Sequence, residues 1–144
     1  MVKKLACLLT VTIATTISIA AQSAYTPGKG SPERKAILDA LRIPVERDLK
    51  QKVVFVAENF KVQGNWAYVD GVPQGVKGAA LDYSRTRYAD QVESGAFDNN
   101  FFALLKKTGG KWKITKYAIG CTDVCYLDWW RIHKAPKSIF PHTE

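Results

Sequence analysis

Two cysteines four positions apart, Cys121 and Cys125 in "AIGCTDVCYLDWW", are the residues whose type and spacing could most readily do chemistry. Cys125 and Arg131 match the bare C-x5-R spacing of cysteine phosphatases. That chemistry needs a small, glycine-rich loop whose amides turn inward around phosphate. Tyr126, Leu127, Asp128, Trp129 and Trp130 are bulky and suit a helix, so no cradle forms. A C-x3-C pair with His133 or His142 could hold copper through soft thiolates in a thioredoxin-like frame. Such a frame requires further strands after its helix, and only 19 residues follow Cys125. Zinc is poorly served, because the two histidines lack the paired spacing of a structural site. No metal and no cofactor is therefore expected. The pair reads as a disulfide, whose short loop contributes about 2 kcal/mol in the chain-entropy model. Copper or thiol redox chemistry stays as the alternative. The carboxylates Glu58, Asp70 and Asp82 stand apart in no recognised motif, so no catalytic residue is assigned.

The compartment governs what a thiol can do. The chain opens "MVKKLACLLTVTIATTISIAAQSAYTPGKG", with Lys3 and Lys4 ahead of an uncharged apolar and threonine-rich run from Leu5 to Ile19. Small residues follow, and Ala21–Gln22 is the best cleavage junction, with Ala20–Ala21 next. This is the layout of a secretory signal, expected to occupy residues 1–21. Cys7 leaves with it, and two of the three cysteines remain. An even count in an oxidising compartment favours a disulfide. The formal charge of +8 falls to +6 once Lys3 and Lys4 are gone. Residues 22–144 are expected to form one secreted domain, periplasmic or extracellular, with no stable membrane insertion.

The elements that must position these residues follow from local signals. "SPERKAILDALRIP" starts a helix with Ser31 as cap and Pro32 at the first turn, and Pro44 is expected to end it near Arg42. "KVVFVAENFKV" reads as a strand, Gly64–Asn65 as a turn, and "WAYVDG" as the hairpin partner. Residues 71 to 80 hold glycines and a proline and read as a loop. "SRTRYADQVESG" suggests a short helix capped by Ser84 and stopped by Gly95. "FFALLKK" and "KWKITKYAIG", joined at Gly109–Gly110, make the clearest hairpin in the chain. Thr122 or Asp123 should cap a last helix running to Pro136. Hairpin-linked strands imply an antiparallel sheet. The expected fold is α+β: a four-stranded antiparallel sheet with an N-terminal helix packed on it and a C-terminal helix, cystatin-like or NTF2-like.

The segments "RKAILDALR", "VQGNWAYV" and "LLKKTGGKWKITKYAIGCTDV", with a tryptophan shortly after, resemble a family of small secreted proteins of Gram-negative bacteria. Some members are known only by an attached SH3-like domain. The likeness spans roughly residues 31 to 140. The resemblance implies export and supplies no catalytic residues. A proline usually stands at the position of Cys121, so the cysteine pair departs from the family pattern.

Surface chemistry carries the remaining functional reading. Lys106, Lys107, Lys111, Lys113 and Lys116 crowd one hairpin, with Arg85 and Arg87 nearby in sequence. Alternation puts Lys111 and Lys113 on one face, and Trp112, Ile114 and Ala118 on the other with Lys116. Such a patch suits an anionic protein or cell-envelope component. Nucleic acid is excluded as a partner, since the chain is exported and its interleaved aromatics should point inward. Trp129 and Trp130 are adjacent on the last helix, so one could stay exposed and anchor a partner. Binding residues are therefore sought at Lys111, Lys113, Lys116, Trp129 and Trp130, and contact also at the 71–80 loop. A small binding protein, such as an inhibitor or immunity-type partner, is the leading reading. An enzyme with an NTF2-like pocket is the alternative.

Overall fold

The computed structural model describes residues 22–144, so the expected signal segment and Cys7 lie outside the described residues. The chain forms helix α1 (Pro32–Leu49), strands β1 (Val54–Gln63) and β2 (Trp66–Gln74), helix α2 (Ala89–Glu93), strands β3 (Phe101–Thr108) and β4 (Lys111–Ile119), and a short helix α3 (Trp129–Ile132). A 3-10 turn at Lys137–Ile139 follows. The strands make one antiparallel sheet in the order β1-β2-β3-β4. This is the α+β architecture expected from the sequence.

Ser31 caps α1 as expected, its hydroxyl accepting from the Arg34 amide at 3.2 Å. The helix does not stop at Pro44 but runs through it to Leu49. An interior proline removes one backbone bond and costs roughly 3 kcal/mol. Ile37, Leu41, Val45 and Leu49 form one buried stripe, and Val45 and Leu49 lie beyond the proline. Burying each contributes roughly 1.5–3 kcal/mol, enough together to offset the proline. The helix ends one residue later, where Lys50 adopts a left-handed conformation.

Strand β2 takes in Val72, Pro73 and Gln74, residues expected in a loop, by pairing them with Val56, Phe55 and Val54. Strand β3 has ended opposite Gly71, so Pro73 meets only one neighbouring strand. Its missing N–H is therefore not needed by the sheet. Gly71 sits opposite a bulge at Glu58, at φ 149°, and a Cβ there would fall 2.0 Å from the Val56 carbonyl oxygen. Only glycine fits. Before α2, Ser84 does not act as a cap. It donates from its amide and hydroxyl to the Asp82 carboxylate at 2.9 and 2.6 Å, which makes a turn, and the helix begins later.

Both faces of the sheet are covered. On the first, α1 packs over Phe60, Val62, Val69, Phe101, Leu105 and Trp112. On the second, the chain after β4 folds back over Trp66, Tyr68 and Leu104, bringing Tyr126, Trp129, Ile139 and Phe140. The long final helix expected from Thr122 is not formed. Residues 122–128 are bends and turns, the Asp123 carboxylate accepts only from the adjacent Val124 amide, and α3 spans four residues. One straight helix would spread its aromatics around its circumference, whereas here they are drawn on to a single sheet face. Tyr68 lies 5.1 Å from Tyr126 and 4.9 Å from Phe140 between ring centroids.

Candidate binding surface

The β3–β4 hairpin holds the lysines on a two-residue turn at Gly109–Gly110, with Thr108 opposite Lys111 and Lys106 opposite Lys113. The register then shifts, since Leu105 faces Ile114 but Leu104 faces Lys116. Thr115 is the extra residue of a β-bulge, and a bulge reverses the alternation beyond it. Lys116 therefore does not share a face with Trp112 and Ile114, as simple alternation required. It joins Lys111 and Lys113 on the second face, with Lys106 beside them. All four are exposed, and none forms an ion pair with a described carboxylate. Trp112 points the other way into the first core, as expected for a core tryptophan.

Of the four lysines, Lys106 meets an aromatic ring of the second core. Lys106 lies with Nζ 4.8 Å from the centroid of Trp66, which is 8% exposed. Trp129 is 4% exposed and belongs to the second core, so it presents no face to a partner. Trp130 is half-buried, with the Lys137 ammonium 4.7 Å above its ring. The structure thus brings Lys106, Lys111, Lys113 and Lys116 together and separates Trp129 from them by burial. Arg85 and Arg87 lie away from this face. Arg87 pairs with Asp48 at 3.0 Å, and Asp48 also accepts from Tyr117, which reaches it from the helix-covered face. Burial, and then that bond, raise the Tyr117 hydroxyl above its ordinary value. This cluster ties α1 to β4.

Cys121 and Cys125 are joined in a disulfide with Cα atoms 6.3 Å apart. It lies in the turns between β4 and α3, where Asn100 donates to the Cys121 carbonyl at 2.8 Å. The bond fixes the point at which the chain leaves the edge strand and turns on to the second face.

Asp70 is the buried carboxylate of the sheet, 4% exposed. It accepts from the Asn59 amide at 3.0 Å, from the Asn59 side chain at 3.0 and 3.1 Å, and from the Tyr68 hydroxyl at 2.8 Å. Burial, then the Asp70 charge, push the Tyr68 hydroxyl far up, so it remains a proton donor. This satisfied triad was missed by motif reasoning because strand pairing, not sequence spacing, brings Asn59 opposite Asp70. Glu58 and Asp82 stand apart from it on the surface. Asp70 lines none of five surface hollows of 270 to 430 Å3 on the described residues. Among the described residues no three His, Cys, Asp or Glu side chains cluster as metal ligands, and no helix is long and apolar enough to cross a membrane.

No protein-family model, curated protein or solved structure matches this chain. Fold and surface together define a small α+β domain with a lysine-rich sheet edge and a carboxylate sealed inside.

Proposed function

We propose that this is an exported binding protein that holds an anionic partner, an acidic protein or a cell-envelope component, on the lysine face of its β3–β4 hairpin. The bulge at Thr115 carries the reading, because it adds Lys116 to the face that Lys106, Lys111 and Lys113 already share, with no described acidic partner. Lys106 and Lys113 are direct cross-strand neighbours. Like charges so placed destabilise a sheet, and a bound anion relieves that repulsion. The hairpin is stiff, so the charges are presented as a fixed array. A helix across a four-stranded meander is the arrangement expected of a cystatin-like or NTF2-like scaffold. The sealed Asp70 favours binding over an enzymatic role, since its oxygens already accept four hydrogen bonds.

A second reading rests on the position of β4 as an edge strand with β3 as its sole strand neighbour among the described residues. Lysines on such an edge deter pairing with other chains. The two readings separate on Lys111→Glu/Lys113→Glu. This changes the formal charge of residues 22–144 from +6 to +2. In pull-downs from cell envelopes, the variant should lose its anionic partner, most visibly at low salt, because screening limits surface charge to about 10 Å at 0.1 M. A variant that retains the same partners at every ionic strength leaves only the edge-protecting role. Export is tested by N-terminal sequencing of the released protein, which should begin at Gln22 or Ala21.

A further inference from the structure

The opposite edge of the sheet is built differently. Tyr25 forms an antiparallel bridge to β1, its amide donating to the Val62 carbonyl at 2.9 Å and its carbonyl accepting from the Val62 amide at 2.8 Å. The outer backbone groups of β1 are thus competent to take another strand, and one residue already uses them. The N-terminal segment then leaves the edge. Pro27 is buried, and its carbonyl accepts from the Arg34 guanidinium at 3.3 Å. Between the departing segment and β1 lies a hollow of about 410 Å3, floored by Ala57 to Lys61. Backbone bonding alternates along an antiparallel strand, so Phe60, two residues before Val62, also directs its N–H and C=O outward. Further along, Val54 and Val56 are each 43% exposed on a strand that has β2 as its single strand neighbour among the described residues.

The charges around this hollow have one dominant sign. Lys29, Arg34 and Lys61 line it, against Glu58 alone. Arg34 is held in place, stacked 4.5 Å over the Phe60 ring. Lys29 and Lys61 form no ion pair with a described carboxylate. Unlike β4, this edge places exposed valines beside a cationic groove. We propose that the outer edge of β1 docks an extended, acidic segment of a partner protein by strand addition. Main-chain hydrogen bonds to Phe60 and the other outward-facing residues of β1 supply the pairing, and carboxylates on the segment meet Lys29 and Lys61. In strand addition the backbone gives affinity and the side-chain surroundings give selectivity. The site stands independently of the lysine face on β4.

The test uses the purified protein and labelled peptides of about seven residues that alternate valine with glutamate, or valine with lysine. A third peptide is the glutamate sequence with every backbone nitrogen methylated, which keeps its charge and removes its donors from both edges. Fluorescence anisotropy should show binding of the glutamate peptide alone, and hydrogen exchange should show new protection at the outward-facing Phe60 amide. Lys29→Glu/Lys61→Glu, folded by circular dichroism, should weaken binding about tenfold or more at low salt. Equal binding of the methylated peptide overturns the proposal, since charge alone would then explain it. So does an unchanged affinity in the double variant. A concentration-dependent dimer that the glutamate peptide cannot dissolve would also overturn it, assigning the edge to a second copy of the chain.

Discussion

The two faces of the sheet are closed by opposite means. One is covered by a single regular helix whose aliphatic stripe, Ile37 to Leu49, meets aliphatic and aromatic side chains. The other is covered by turns, a four-residue helix and a 3-10 turn, with aromatics stacked over a buried carboxylate. The first face draws on helix propagation and hydrophobic burial together. The second has little helix to help it, and is held by ring packing, one disulfide and the Tyr68–Asp70–Asn59 triad. The lysine array lies at the rim of this irregular face, on the regular β3–β4 hairpin.

Truncating the regular face should give the largest effect. Leu41→Ala removes a fully buried side chain from the centre of the helix stripe. Denaturant unfolding should show a loss of about 2–5 kcal/mol, shared by probes on both faces. A smaller loss, confined to α1, would break the idea that this face anchors the fold.

Tyr68→Phe comes next. It keeps the ring and removes the hydroxyl that donates to buried Asp70. A hydrogen bond to a charged acceptor is worth about 1.5–3 kcal/mol, and thermal unfolding should report that loss. The same residue supplies a pH test. The folded state raises the Tyr68 hydroxyl above its ordinary value, by burial first and the Asp70 charge second. The unfolded chain releases this proton near pH 10, while the folded chain retains it. Stability is therefore full below about pH 10 and falls as pH rises above it. Burial also raises Tyr126 and Tyr117, so Tyr68→Phe should flatten the alkaline fall without abolishing it. An alkaline profile unchanged by the substitution would remove Tyr68 from the account.

Opening the disulfide sharpens the contrast between faces. Cys121→Ser/Cys125→Ser should lower stability by about 2 kcal/mol in the chain-entropy model. Hydrogen exchange should speed up first over Tyr126 to Phe140, with α1 still protected. If both faces lose protection together, the second cover is no separate unit of stability. On the proposed reading, binding to an anionic partner should survive in the folded variant, and its loss would point to thiol chemistry.

The smallest expected effect is on folding by Lys111→Glu/Lys113→Glu. Both side chains are exposed, and such changes stay within about 0.5 kcal/mol. A clear gain in stability would measure the repulsion stored between Lys113 and Lys106.

The sequence by itself determined what local rules control. The Ser31 cap, the two hairpins with their turns at Gly64–Asn65 and Gly109–Gly110, the antiparallel sheet and the Cys121–Cys125 bond were all readable from short-range patterns. Pairs counted outward from the second turn already place Lys106 against Lys113. Tertiary structure decided the rest. Helix α1 passes Pro44 because Val45 and Leu49 gain more by burial than the proline removes. The last helix shrinks to four residues because Tyr126, Trp129 and Phe140 pack on one face of a sheet that lies far away in sequence. Lys116 crosses to the face of Lys111 and Lys113 because one extra residue at Thr115 reverses the alternation. Period and propensity describe a segment alone, whereas bulges, burial and buried charges depend on which distant segment it meets.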